Sequence, residues 1–508
     1  MSFTGRSSQS QSPKHIPKKP KLELGTSSSS KMPRKAPTRD DIDIALGQFF
    51  FGCNISFNIV ESQHFKNFVD LLQRLRSPTP YQPPTRKTLS TKLLDKVHQK
   101  QLDERVSVSD DGTDGVLLID GWKNSSANTK NVVCTLHSVN SKSTFLKSWD
   151  ITGLRETGEQ LKEIVNEGIK LAKEKFNVTT YAVVSDNASP MISMGKKIEI
   201  WHTTCHSHSG NLLAKAFVSD DFAKTVNEFL RKFKSPSAEH EIKQRGGSRI
   251  ILACDTRWCS YRDAFRCLLK NLHLMQALID EKKIQLDPKY ESLLRDPSFA
   301  IQLQDFILIF DPICQLINVC QESNCSIAKA CEEWLKLVIP TANDEMQKKL
   351  DDRLEKVLTP IVLTANFLHP QYRGKRFEHD HRKMKMVFDF LTQELELADI
   401  TDETGLDAYQ KDRGIFGKLR ERNHTAPEAF WILARPFHPK LSLLAKKLLN
   451  IPAASAQLER LFSSWAFVHS DLRNRLTVDR SMKLVDIYYS LKMNEFFDDH
   501  YDELIESN

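Results

Sequence analysis

The chain has 508 residues, 40% of them hydrophobic, which is enough to bury large cores and suggests two to four domains. Ten cysteines in that length are too few for a disulfide scaffold, and Met1 leads into a Ser-, Gln- and Lys-rich stretch rather than a hydrophobic signal, so free thiols in a reducing compartment are expected. The net charge of +7 comes from the N-terminus: residues 1–39 hold nine Lys/Arg and one acid, leaving 63 basic and 64 acidic residues in a nearly neutral body. A body-wide electrostatic footprint for nucleic acid is therefore excluded, and any DNA-binding face must come from local clustering.

Residues 1–39 are rich in Ser, Pro and Lys and are expected to be disordered. Pro17-Lys18-Lys19-Pro20-Lys21, backed by Arg34 and Lys35, has the composition of a nuclear-import signal, or simply of a solvated basic tail. Apolar residues then recur at helical spacing over 40–76, a Pro-rich stretch at 78–84 interrupts, and Thr88 to Val106 resumes the helical pattern.

The period changes in the centre. Gly115 to Asp120 is a short apolar run ending on an acid, as expected of a buried strand. Gly121 to Lys130 is polar and suggests a turn into a second strand, Asn131–Val139, followed by a third at Ser143–Ile151. Thr157 to Lys175 predicts an amphipathic helix, Tyr181–Asp186 a strand ending on an acid, and Ile198–Thr203 a fifth strand before a helix from about His206. From about 219 to 435 the spacing is almost wholly helical, and Pro439–Leu491 is helical again with a break at Ile451-Pro452. No apolar run is expected to span a bilayer: the best candidate, Phe306 to Cys320, is interrupted by Asp311, Pro312 and Gln315.

Asp120 and Asp186 each end a predicted strand. If those strands are neighbours, both carboxylates emerge at the sheet edge where open α/β sheets place ligands. Two close carboxylates repel unless a divalent cation neutralises them, and such cations activate water and stabilise leaving oxygens in phosphodiester chemistry. From spacing alone, each Asp reads more simply as a turn or cap residue.

Six ordered blocks carry a resemblance: Asp120-Gly121-Trp122 with Ser125; Ser185-Asp186-Asn187-Ala188; Cys205-His206-Ser207-His208 through Leu212; Cys254-Asp255-Thr256-Arg257-Trp258-Cys259-Ser260; Leu368-His369-Pro370-Gln371-Tyr372; and Ile451-Pro452 through Ser463, continued by Arg473-Asn474-Arg475-Leu476. Together they resemble hAT-superfamily transposases of the branch with a DUF659-type domain. The resemblance implies α/β plus all-α architecture: an RNase H-like domain with a mixed five-stranded sheet, interrupted by a large all-helical insertion. The implied domains are a basic tail at 1–39, a helical N-terminal region for dimerisation or DNA contact at 40–110, the first part of the RNase H-like core at 111–218, the insertion at 219–435, and core completion with the C-terminal dimerisation region at 436–508.

It also implies an Asp–Asp–Glu triad of Asp120, Asp186 and Glu459 holding Mg²⁺ or Mn²⁺ for DNA strand cleavage and transfer, with DNA as partner, a homodimer or higher homo-oligomer formed through the C-terminal block, nuclear localisation and no membrane. Trp258, with Arg257, resembles the family tryptophan that stacks on an unpaired base; a core tryptophan is the plainer alternative. His208 is expected to contact phosphate or orient a ligand, or to be a structural histidine. Glu459, on chemistry alone, is a solvated helix acid paired with a nearby arginine. The chain departs from the family pattern in three places. No Cys-x-x-Cys of a BED-type finger precedes residue 115, Pro190 stands where Asn is usual, and His369 replaces the Asp of the Leu-Asp-Pro block. Loss of that finger leaves open a non-catalytic DNA-binding or dimerising nuclear factor derived from a transposase.

Overall fold

The computed structural model describes residues 38–53, 55–77, 79, 81–108, 114–124, 128–138, 143–218, 220–254, 259–340, 343–396, 405–422, 426–468 and 479–491. The tail at 1–37, Ser125, Arg257, Trp258 and the 473–476 block lie outside these residues. The chain divides into two units, Met1–Pro84 and Thr85–Asn508. In the first, Thr38 caps the Arg39–Gly52 helix in a reciprocal capping box with Asp41. Phe50 is buried there against Phe65, edge to face at 5.9 Å.

The second unit is built on one five-stranded sheet of order β3-β2-β1-β4-β5: β1 Asp114–Asn124, β2 Thr129–Ser138, β3 Ser143–Asp150, β4 Thr179–Ser185 and β5 Trp201–Thr204. β1, β2 and β3 pair antiparallel, while β4 and β5 continue the sheet parallel to β1. Leu117 and Ile119 face one side and Val116 and Leu118 the other, all buried, so the sheet is covered on both faces. The Gly158–Phe176 helix covers the first face with Leu161, Ile164, Val165, Ala172 and Phe176. The helical block covers the second.

β1 runs four residues beyond Asp120, where the sequence suggests a turn. Its parallel pairing with β4 stops at Ile119↔Ser185, but its antiparallel pairing with β2 continues to Asn124↔Thr129. The backbone of the polar 121–124 stretch thus stays in a ladder on one side only, which apolar periodicity cannot reveal.

The Pro297–Cys320 helix also differs from expectation. It is a single helix of 24 residues with Pro312 inside it, long and apolar enough to cross a bilayer by length and composition. Here it is a core helix, packed against the His206–Phe217 and Ser260–Asp280 helices and burying Phe299, Leu303, Phe310, Ile313 and Ile317. Gly210 allows the close crossing, because a Cβ there would lie 2.7 Å from Ile317. Asp311 is satisfied by Arg266 at 2.6 and 2.7 Å.

After this block the chain returns to the sheet. Residues 451–453 are stapled to the block by Ile327 N–H to Ile451 O (2.9 Å) and Ala453 N–H to Cys325 O (2.9 Å), with a bridge at Ser326↔Pro452. The same segment accepts His206 N–H at Ala453 O, 2.9 Å, beside the end of β5. The Ala456–Val468 helix follows directly, so its position over the sheet is fixed from both sides.

Candidate functional site at the carboxyl edge of β1 and β4

Asp120 and Asp186 are the residues just past the last parallel pair, Ile119↔Ser185, and therefore emerge side by side at one sheet edge. Asp120 shares its face with Leu118 and Trp122, since strand side chains alternate. Trp122 decides what lands there. Its ring stacks on Phe462 at 5.8 Å and meets Trp465 at 5.0 Å, seating the Ala456–Val468 helix on that face of β1. Leu458, Leu461, Phe462, Trp465 and Val468 form the buried stripe of this helix. Glu459, one step off the stripe, is left at its margin with its side chain 42% exposed. Arg460 does not pair with it but donates to Gln321 O at 3.0 Å.

His208 arrives from a third direction, in the first turn of the His206–Phe217 helix. That turn is held by Cys205 N–H to Ser185 O (2.7 Å), by His206 N–H to Ala453 O, and by the Trp334 indole donating to His206 Nδ1 at 3.1 Å. The potential donor atoms of Asp120, His208 and Glu459 all lie within 4.8 Å of one another, with His208 Nε2 to Glu459 Oε1 at 3.7 Å. Asp186 stands outside this tight group but within electrostatic reach of its members. Its carboxylate also accepts the Ala188 N–H at 3.0 Å, closing the turn into the short Ser189–Gly195 helix, where Pro190 fits an N-terminal position.

The electrostatics follow from burial. Burial pushes the Asp120 carboxyl well above the usual range; Asp186 and Glu459 add repulsion, and His208 pulls the other way. Burial also raises Asp186, partly offset by the Ala188 N–H and His208. It raises Glu459 as well, with Asp186 adding to the rise and His208 opposing it. For His208, burial alone would lower the imidazole, but Cys205, Asp120 and Asp186 outweigh it and push the ring up to about 10. Asp120 Oδ2 is buried with no hydrogen-bond partner among the described residues. A buried carboxylate oxygen left unpaired costs free energy unless a cation or proton meets it. An oxygen- and nitrogen-rich group open on its Glu459 side is a chemically suitable holder for a divalent cation.

The structure thus brings together Asp120, Asp186, Glu459 and His208 from four elements. It says nothing of Arg257 and Trp258, which lie outside the described residues. Membership of His208 in the tight group, and the anchoring role of Trp122, are not apparent from the sequence pattern. A signal for His208 existed: it lies in the first turn after β5, at the carboxyl end of the strand next to β4. His369, the departure in the Leu-Asp-Pro block, stacks on Tyr372 at 4.0 Å, and its Nδ1 accepts the Gln371 N–H at 3.3 Å, a local loop role.

A mixed five-stranded sheet covered on both faces, with acids at one edge that a helix from the far C-terminus joins, defines an α/β core. Residues 406–490 match the family model for the hAT family C-terminal dimerisation region, a stretch that contains Glu459 and the helix that seats it. The match covers 85 of the 508 residues and supports a relation to hAT-family transposases through that region. No curated protein matches the chain.

Proposed function

We propose that the chain is a hAT-type transposase or a nuclear protein derived from one, with an RNase H-like core that cleaves and joins DNA strands with a divalent cation. The observation that carries the reading is the meeting of Asp120, His208 and Glu459 within 4.8 Å, with Asp186 beside them, although Glu459 follows His208 by 251 positions. The sheet order, antiparallel through β1 and parallel beyond it, supports the same core. Asp120 and Glu459 would hold the cation, with Asp186 completing the negative site; Mg²⁺ or Mn²⁺ supplies Lewis acidity and an activated water when bound. The residues' own part is to hold charge in a fixed geometry and leave the Glu459 side open to a phosphate and water.

The test is divalent-dependent nicking of DNA that carries the element's terminal repeats. Glu459→Gln and Asp120→Asn are expected to lower cleavage by about 10³-fold or more, as for groups that act as a unit. A wild type matched by Glu459→Gln would end the assignment. A wild type that binds DNA and never cleaves with any metal or end would favour the non-catalytic DNA-binding factor. Nuclear import through the Pro17–Lys21 cluster belongs to the same proposal.

The dimerisation region supports a homo-oligomer. Leu458, Leu461, Phe462 and Trp465 are buried by the chain's own core. The matched stretch instead exposes Ile432, Leu433, Phe437 and Leu443, around the Pro427–Ala434 and Pro439–Leu449 helices, with Phe437 62% exposed. A second copy on this face accounts for them. Light scattering at micromolar concentration is expected to give at least a dimer, and Ile432→Asp with Phe437→Asp to halve the mass; an unchanged mass would move the interface elsewhere.

A further inference from the structure

We infer that His208 is itself a metal ligand, so that the cation held by Asp120, His208 and Glu459 is a transition-series ion of the Mn²⁺-to-Zn²⁺ class in preference to Mg²⁺. This rests on reading the site as a metal centre and goes beyond it in naming a nitrogen ligand and the selectivity that follows.

Two independent observations carry it. The first is the donor set. The tightest group at the sheet edge is not three carboxylates but two carboxylates and an imidazole, mutually within 4.8 Å, while Asp186 lies outside it. The second is the orphaned oxygen. Asp120 is 4% exposed and its Oδ2 lacks any hydrogen-bond partner among the described residues. A group so placed is satisfied by a cation arriving between it and the other two donors. The elements that hold these donors are separately anchored: Asp120 by the β1–β2 ladder, His208 by the hydrogen bonds that pin residues 205 and 206, and Glu459 by the Trp122–Phe462 stack. Little rearrangement of the chain is then needed to present three ligands on one side once the incoming cation displaces the His208 proton, and the half-exposed Glu459 leaves the other side to water and phosphate.

Selectivity follows from donor chemistry. Mg²⁺ is hard, takes oxygen ligands in a strict octahedron and dehydrates reluctantly. Imidazole suits borderline transition ions, whose affinity for a given nitrogen–oxygen site rises along the series from Mn²⁺ toward Zn²⁺. Replacing one carboxylate by imidazole also removes a negative charge, which weakens a site that relies on charge alone. The expected order of affinity is Zn²⁺ above Mn²⁺ above Mg²⁺.

The experiment uses the full chain, stripped of metal, with Mn²⁺, Zn²⁺ and Mg²⁺ as probes. Calorimetric titration gives the affinities, and pulsed electron paramagnetic resonance of bound Mn²⁺ reads whether an imidazole nitrogen is coordinated. The wild type is expected to bind Mn²⁺ and Zn²⁺ at least about tenfold more tightly than Mg²⁺ and to show the nitrogen coupling. His208→Gln is expected to lose that coupling and at least about tenfold in Mn²⁺ affinity, with a smaller change for Mg²⁺. The resonance measurement on the wild type needs no variant, so a misfolded His208→Gln leaves the question decidable. Mn²⁺ bound without nitrogen coupling, or a coupling that survives His208→Gln, overturns the role of His208 while leaving a carboxylate metal site standing. A wild type that binds none of the three ions overturns both this inference and the metal-dependent reading beneath it.

Discussion

Two buried carboxylates in this chain are treated in opposite ways. Glu332, in the Ile327–Lys336 helix of the helical block, is 7% exposed and surrounded by donors. Arg376 Nε reaches its Oε1 at 2.5 Å, Asn366 donates to Oε2 at 3.3 Å, and Lys336 lies at 3.8 Å. Asp120, at the sheet edge, is as deeply buried, but its near neighbours are two more acids and one histidine. The helical block neutralises its acid from within the chain and becomes a piece of structure. The sheet edge sets one histidine against three acids and leaves Asp120 Oδ2 without a hydrogen-bond partner among the described residues, which leaves room for a cation from outside.

The contrast can be broken at several points, and the largest effect is expected from the cation itself. At a free concentration about one hundred times the dissociation constant, a divalent ion bound only by the folded chain adds about 2.7 kcal/mol to unfolding stability. Chemical denaturation is expected to show that gain in the wild type and not in Asp120→Asn. An equal gain in both would place the ion elsewhere.

Next in size is the acid of the helical block. Glu332→Leu is expected to cost about 2 kcal/mol, less than the loss usual for breaking a fully buried pair, because the Arg376 side chain is 44% exposed and can turn to water. The loss should be the same with and without divalent cation; a cation-dependent loss would make the two regions one site.

The smallest effect is the sharpest in sign. Without cation, Asp120→Asn is expected to leave stability unchanged or raise it by up to about 1 kcal/mol, since burial, with the repulsion of Asp186 and Glu459, outweighs the attraction of His208 for the Asp120 charge. Because burial raises the folded-state pKa of Asp120, its contribution is present below the ordinary carboxyl range and lost as pH rises through the raised value. The cation-free wild type should therefore lose stability over that rise relative to Asp120→Asn. A clear destabilisation by Asp120→Asn across that range would mean that the carboxylate already has a stabilising partner.

Much of this architecture is written locally. Alternating and continuous apolar runs mark the first four strands, because a strand buried on one or both faces must carry its apolar residues in register with the pleat, whereas β5 is Trp201–Thr204 and begins after the apolar Ile198 and Ile200 that suggested it. The acids that close two of those runs, Asp120 and Asp186, are legible for the same reason: a buried strand ends where its first charge reaches the sheet edge. The six ordered blocks added Glu459, and the match over 406–490 bears on the stretch that contains it.

Other features had to wait for the fold. The continuation of β1 to Asn124 depends on a partner strand, and a ladder formed with one neighbour leaves no apolar trace. The Pro297–Cys320 helix reads as an interrupted run because Asp311 and Pro312 look disruptive in isolation. Arg266 and the surrounding helices accommodate them. Above all, the sequence contains Asp120, His208 and Glu459 but not their meeting. That depends on Trp122 stacking under Phe462 and on residues 451–453 bridging block and sheet. Side-chain identity fixes what chemistry a residue can do. Proximity between residues 251 or more positions apart is set by packing energy summed over the whole core, and only the tertiary structure expresses that sum.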